Sequence, residues 1–236
     1  MATIEKEQLP SFDVLRDANN PPDLSPEMQR VFWTIDGPLS ESIWIMESCH
    51  NTDSLEPYFK ADDPKERWHP VSQAPLTDPK VSSITVRVYE LDKWEDDWYD
   101  FHREHSDPNG GNEQFDENGD LMVRWGELLD YDEEKDEEGK PEHLLMCCGT
   151  TRPRGKAGSM AVKPTTGDFI TVHDYLSTLH PWLLGKRDDI LALMGLFDDK
   201  PLPQETKLMV GYEMGDSLTV YDRAEWIEYR QRKPGK

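Results

Sequence analysis

Ser83-Ile84-Thr85-Val86-Arg87-Val88-Tyr89-Glu90-Leu91-Asp92-Lys93-Trp94-Glu95-Asp96-Asp97-Trp98-Tyr99-Asp100-Phe101 changes its period halfway along. Apolar residues first alternate, at 84, 86 and 88, as in a half-buried strand whose side chains point to opposite faces in turn. From Leu91 the spacing becomes i, i+3, i+7 and i+10 through Trp94, Trp98 and Phe101, which is one face of a helix. The remaining face of that helix is almost entirely acidic. A strand passing directly into an amphipathic helix predicts an α+β fold.

Working outward, Val31–Ile35 and Ile43–Met46 are short aromatic and β-branched runs around the turn Asp36-Gly37-Pro38, and they read as strands. Leu144–Cys148 and Ser159–Val162 read the same way. Lys207–Tyr212 and Leu218–Tyr221 predict a hairpin around Gly215-Asp216. Thr171 with Asp174 three residues on is a capping-box variant that opens a helix carrying Val172, Tyr175, Leu176 and Leu179. Pro181 is expected to end or kink it, and to begin a second helix, Trp182–Met194. Asp222 caps a last helix that bears Trp226 and Tyr229. Residues 1–25 are polar and proline-punctuated, and are expected to be a flexible lead-in to a single α+β domain over 26–232, with a mixed or mostly antiparallel sheet and several short helices. Val88-Tyr89-Glu90…Trp94 and Val220-Tyr221-Asp222…Trp226 echo each other, an echo that ordinary strand–helix grammar explains without a duplication.

The charge is local. The chain has 236 residues and a net charge of −22, and 21 acidic residues face only 5 basic ones between Glu90 and Glu142. That window therefore holds nearly three quarters of the excess, and the rest of the chain is close to balanced. A focused anionic surface attracts basic proteins and repels nucleic acid and anionic membranes. No apolar run approaches the length of a membrane span, and the N-terminus lacks the apolar core of a secretory signal. Three cysteines, Cys49, Cys147 and Cys148, make no disulfide framework. These features predict a cytoplasmic protein, with the nucleus as the alternative.

Four constellations bear chemistry. Asp116, Asn118, Asp120 and Glu127 stand at positions 1, 3, 5 and 12 of a loop resembling an EF-hand calcium site, but position 6 is Leu121 rather than glycine. A hairpin with an Asn118-Gly119 turn accounts for the same residues. His102 and His105 form a possible zinc pair with His143, Cys147 and Cys148, but the ligands would come from separate segments without a Cys-x-x-Cys. The plainer reading leaves two exposed histidines at a frayed helix end, and places Cys147 and Cys148 on opposite faces of a strand. His173, Asp174, Tyr175 and His180 are the residues on which an enzyme would rest. As helix neighbours, His173 and His180 are two turns apart and do not touch, and Asp174 is more simply a cap. The basic run Arg152-Pro153-Arg154-Gly155-Lys156 lacks the spacing of a phosphate cradle, and docking onto the protein's own acids explains it equally well. No metal site and no cofactor is expected.

The segment Phe169-Ile170-Thr171-Val172-His173-Asp174-Tyr175-Leu176-Ser177-Thr178-Leu179-His180-Pro181-Trp182-Leu183-Leu184-Gly185-Lys186-Arg187-Asp188-Asp189-Ile190-Leu191 resembles one found in uncharacterised intracellular proteins of filamentous fungi. The resemblance covers roughly the final third of the chain. It implies a fungal cytoplasmic or nuclear protein and brings no activity, substrate or catalytic residue with it.

The leading expectation is a non-enzymatic acidic interaction or regulatory protein that binds a basic protein partner. Its interface would comprise Trp94, Asp96, Asp97 and Trp98 of the acidic helix, with Glu133, Glu134 and Asp136 of a solvated loop over about 130–142. The alternatives are an enzyme of small-molecule metabolism with a pocket lined by Trp, Tyr and His173, and an inhibitor that mimics nucleic acid. The oligomeric state is left open.

Overall fold

The computed structural model describes residues 9–61, 67–106, 115, 117–119, 122–134, 136, 139–154, 158–196 and 202–231. The first part of the chain runs α1 (Phe12–Asp17), β1 (Asp23–Leu24), β2 (Val31–Trp33), α2 (Leu39–Ser42), β3 (Ile43–Met46), β4 (Leu55–Pro57), β5 (Phe59–Lys60), β6 (Arg67–Trp68) and β7 (Thr77–Asp78). The middle holds β8 (Ile84–Val88), α3 (Tyr89–Arg103), β9 (Arg124–Gly126), β10 (His143–Cys147), β11 (Thr150–Thr151) and β12 (Ser159–Val162). The last part holds α4 (Val172–Leu184), α5 (Arg187–Met194), β13 (Leu208–Met214), β14 (Ser217–Asp222) and α6 (Arg223–Gln231). This is a single α+β fold with mostly antiparallel sheets. No helix among the described residues is long and apolar enough to cross a membrane.

The central sheet has the order β12–β8–β14–β13. Only β8 and β14 run parallel, with Arg87 opposite Ser217 and Val88 opposite Leu218. Because they are parallel, both strands deliver their helices, α3 and α6, at the same end of the sheet. The alternation read from the sequence holds: Ile84, Val86 and Val88 are buried, Thr85 is half-buried and Arg87 is exposed. Where β8 turns into α3, the Glu90 carboxylate takes over from the strand and accepts the Val220 N–H at 3.1 Å. Two three-stranded sheets flank this centre, β2–β3–β4 and β11–β10–β9. The first joins the central sheet through a bridge between Thr34 and Met209. One apolar core runs under β2, β3, β8, β13 and α4, with Trp33, Tyr175 and Leu176 fully enclosed. Trp226 of α6 fills a smaller core against Phe32 and donates its indole N–H to the Val210 carbonyl at 3.1 Å.

The ends of the elements depart from the sequence reading in three places. Residues 10–25, expected to be a flexible lead-in, are folded: Phe12 is buried, its N–H bonds the Ser83 carbonyl at 2.8 Å, and Leu24 pairs with Thr77. Burial of Phe12 and Leu24 on the central sheet outweighs the loop-forming composition of this stretch. Only residues 1–8 of that lead-in lie outside the described part. Pro181 neither ends α4 nor opens a new helix. The helix continues to Leu184, and the break falls at Gly185-Lys186. Finally, the acidic helix buries Leu91, Trp98 and His102, so a histidine rather than Phe101 closes its inner stripe.

Candidate functional site

The four residues on which an enzyme would rest are held by α4, but they do not converge. The capping box is present: Thr171 Oγ1 accepts the Asp174 N–H at 3.1 Å, and Asp174 Oδ2 accepts the Thr171 N–H at 2.9 Å. Asp174 Oδ1 also accepts the Thr165 N–H and hydroxyl. Burial alone would raise the Asp174 carboxyl, but these bonds outweigh it and hold it below the ordinary range. Tyr175 is enclosed and donates to the Gly215 carbonyl at 2.6 Å. His180 receives the Trp33 indole N–H on Nδ1 at 3.1 Å and contacts the Gly37 carbonyl through Nε2 at 2.9 Å. An indole can only donate and a carbonyl can only accept, so His180 is the neutral Nε2–H tautomer with both nitrogens satisfied. Burial lowers its basicity, in agreement. His173 is half-buried, with Nδ1 3.1 Å from the Tyr58 hydroxyl and its ring 4.6 Å from that of Trp68. Asp174, Tyr175 and His180 thus have their polar atoms committed to the fold.

The acidic helix is anchored at two points. The first is an ion cluster. Glu95 Oε1 accepts Arg152 Nε at 2.9 Å and Arg154 Nη1 at 2.6 Å. Arg154 also reaches Asp130 at 3.0 Å and Asp136 at 2.8 Å. The basic run therefore docks on the protein's own acids. It also pins the stretch expected to be a solvated loop, where the Tyr131 ring lies 5.0 Å from that of His143. Two predicted interface residues are turned inward. The Asp136 side chain is 3% exposed; burial would raise its carboxyl, but the Asp132 N–H and the Arg154 guanidinium outweigh it and hold it below the ordinary range. Trp98 is 2% exposed and donates its indole N–H to Thr150. Neither is an exposed anchor. Trp94 is half-buried against the main core. Asp96, Glu133 and Glu134 are exposed, and Asp97 is half-buried. Burial raises the Asp97 carboxyl, and the like charges of Asp96 and Asp100 add to the rise.

The second anchor lies at the C-terminal end of α3. His102 and His105 there meet Cys147 and Cys148 of the β10–β11 hairpin, and one ligand-type atom from each lies within 4.8 Å of the others. The thiols do not point to opposite faces, because Cys148 has left the strand. Its φ is 51° and that of Gly149 is 75°, the two positive-φ centres of a two-residue turn between the paired residues Cys147 and Thr150. A cysteine in this conformation is uncommon, and it swings Sγ back to 3.7 Å from that of Cys147. Cys148 Sγ is also 3.3 Å from His105 Nδ1. Burial raises the Cys147 thiol to about 12, with its neighbour Cys148 adding to the rise. Burial, and the nearby His105, lower His102 to about 4, so its ring is neutral at physiological pH. The expectation of two exposed histidines fails: His102 is 2% exposed and His105 is half-buried. His143 is buried elsewhere, against Tyr131.

Of the calcium candidates, Asp116 and Asp120 lie outside the described residues, and Asn118 and Glu127 are exposed. An open cavity of about 260 Å³ sits beside the ion cluster, between Arg124, Leu128, Leu145 and Thr151. None of His173, Asp174, Tyr175 or His180 lines it. Thr150, which ties His102 to Trp98, is a residue that the sequence reading missed. A lone threonine carries no spacing signal, although the Gly149 beside it marks the turn. No family model, curated protein or solved structure matches the chain.

Proposed function

We propose that the protein is a non-enzymatic acidic binding protein that presents the outer face of α3, together with Glu133 and Glu134, to a basic protein partner in the cytoplasm or nucleus. One observation carries this reading: the fold divides its acids into two sets. Glu95, Asp130 and Asp136 are ion-paired from within by Arg152 and Arg154. Asp92, Asp96 and Asp100 are left exposed, one per helical turn, and among the described residues Asp100 pairs on the helix surface with Arg103 at 3.7 Å. Like charges four residues apart destabilise a helix by roughly 0.2–0.5 kcal/mol per pair. Keeping such a stripe beside a saturated cluster favours recognition over stability. The same charge repels nucleic acid.

The test is affinity capture with the full chain and with the triple variant Asp92→Asn, Asp96→Asn and Asp100→Asn. Relief of repulsion should leave the helix intact or slightly stabilised by circular dichroism, while capture of basic proteins falls and becomes insensitive to salt. A partner set unchanged in the triple variant sinks the reading.

A further inference from the structure

The hydrogen bonds around Thr150 fix the state of His102. The Thr150 hydroxyl has one proton and two lone pairs. Its proton goes to the Cys147 carbonyl, 2.9 Å away, because a carbonyl can only accept. One lone pair receives the Trp98 indole N–H at 3.0 Å, because an indole can only donate. The remaining lone pair faces His102 Nε2 at 3.1 Å, so that nitrogen must carry the ring proton. Nδ1 of the neutral ring is then a bare lone pair. It is buried and has no hydrogen-bond partner among the described residues. A buried acceptor left unmatched costs on the order of 1–3 kcal/mol. The αL conformation of Cys148, which the two-residue turn requires, brings its thiol to the same place. The unmatched nitrogen lies among three other ligand-type side chains, where a cation would satisfy it.

We infer that His102, His105, Cys147 and Cys148 bind a single zinc ion in a closed tetrahedral site. Zinc–sulfur bonds of about 2.3 Å and zinc–nitrogen bonds of about 2.0–2.1 Å at tetrahedral angles require S···S edges of about 3.8 Å and S···N edges of about 3.6 Å. The Cys147–Cys148 edge is 3.7 Å and the Cys148–His105 edge is 3.3 Å. Two sulfur and two nitrogen donors in a tetrahedron select zinc over calcium or magnesium, which take oxygen. On binding, the two thiol protons leave to solvent, two S–Zn bonds form, and the imidazoles give lone pairs. Two thiolates and two neutral rings around Zn²⁺ sum to zero charge, which suits a buried position. Thr150, bonded to the far side of the His102 ring, orients that ligand in the way that metal-bound histidines are usually oriented. Four protein ligands leave no position for water, so the ion is structural. It fastens the end of α3 to the hairpin, about 10 Å along the helix from the Glu95 clamp (seven residues at 1.5 Å each). The inference does not depend on the basic-partner reading.

The experiment titrates the reduced, chelator-stripped full chain with cobalt(II), then with zinc. The expected result is a saturable set of visible bands of tetrahedral cobalt with a thiolate charge-transfer band, complete at one equivalent and abolished by one equivalent of zinc. Cys148→Ser and His105→Gln should lose these bands, whereas Cys49→Ser should keep them. Thr150→Val should bind about 10–100-fold more weakly. Circular dichroism and thermal melts of each stripped variant separate loss of the site from loss of the fold. A folded, reduced parent chain without the tetrahedral spectrum overturns the inference. So does a spectrum unchanged in Cys148→Ser, or one lost in Cys49→Ser.

Discussion

Helices α3 and α4 each bear an acid in the first turn and a histidine near the end, and they treat these groups in opposite ways. At the start of α4, Asp174 has both oxygens hydrogen-bonded, and its carboxyl is held low. At the start of α3, Glu90 has one oxygen on the Val220 N–H, while Oε2 is buried without a hydrogen-bond partner among the described residues, and burial raises the carboxyl to about 7. Near the end of α4, His180 uses both ring nitrogens; near the end of α3, His102 uses one among the described residues. A fully satisfied buried polar group reports on packing, and an unsatisfied one asks for another ligand, proton or ion. The residue types alone favoured α4 as the chemical helix, and the hydrogen bonds point to α3.

The comparison breaks most readily at its histidines. His180→Ala leaves the Trp33 N–H unmatched and opens a cavity, so it should cost about 3 kcal/mol in urea melts. That loss should be equal with zinc present and with a chelator. His102→Ala should cost more with zinc present than with a chelator. Equal losses for His102→Ala in both conditions would dissolve the contrast between the two helices.

The acids give the next effect, with opposite slopes against pH. The unfolded chain releases the Glu90 proton near its ordinary 4.5, whereas the folded chain holds it to about 7. The folded state binds the extra proton in that window, so stability falls as pH rises through it. Glu90→Gln keeps an oxygen for Val220 and cannot ionise. It should match the parent at about pH 4 and exceed it by about 3 kcal/mol at about pH 8. Asp174 has the opposite sign. Its contribution is present above the ordinary carboxylate range and is lost as pH falls through the depressed folded value. Asp174→Ala should therefore cost about 2 kcal/mol at neutral pH, with the deficit narrowing as the solution is acidified below the ordinary carboxylate range. Parallel slopes for the two variants would count against the assignment of their environments.

The smallest effect concerns the ion cluster that holds α3 from behind. Glu95→Gln keeps the shape but removes the charge shared by Arg152 and Arg154, and should cost about 1 kcal/mol, less at high salt. A salt-independent loss would mean that packing of the Arg stems, rather than charge, holds the helix.

Much of the architecture was legible because it is written in short periods. The alternation at Ile84, Val86 and Val88 and the Thr171–Asp174 capping box are decided within a few residues, and both appear where the pattern puts them. The acidic surface was legible only as composition. Which acids are free depends on Arg152 and Arg154 reaching Glu95 across 57 and 59 residues, which no local pattern encodes. The histidine–cysteine cluster was hidden by a correct rule applied one residue too far. Strand alternation separates neighbouring side chains, but Cys148 belongs to the turn, and the glycine after it was the available sign.

The parallel pairing of β8 with β14 also sets an order of events during synthesis. Arg87 finds Ser217 only after 130 further residues have been made, so the centre of the main sheet cannot close while the intervening chain is emerging. Throughout that interval one long edge of the apolar strand Ile84–Val88 lacks its final neighbour, the kind of exposure that leads nascent chains to associate. The segment that follows it immediately is the most highly charged of the chain. Mutual repulsion within that segment disfavours association of such chains while β14 is still to come.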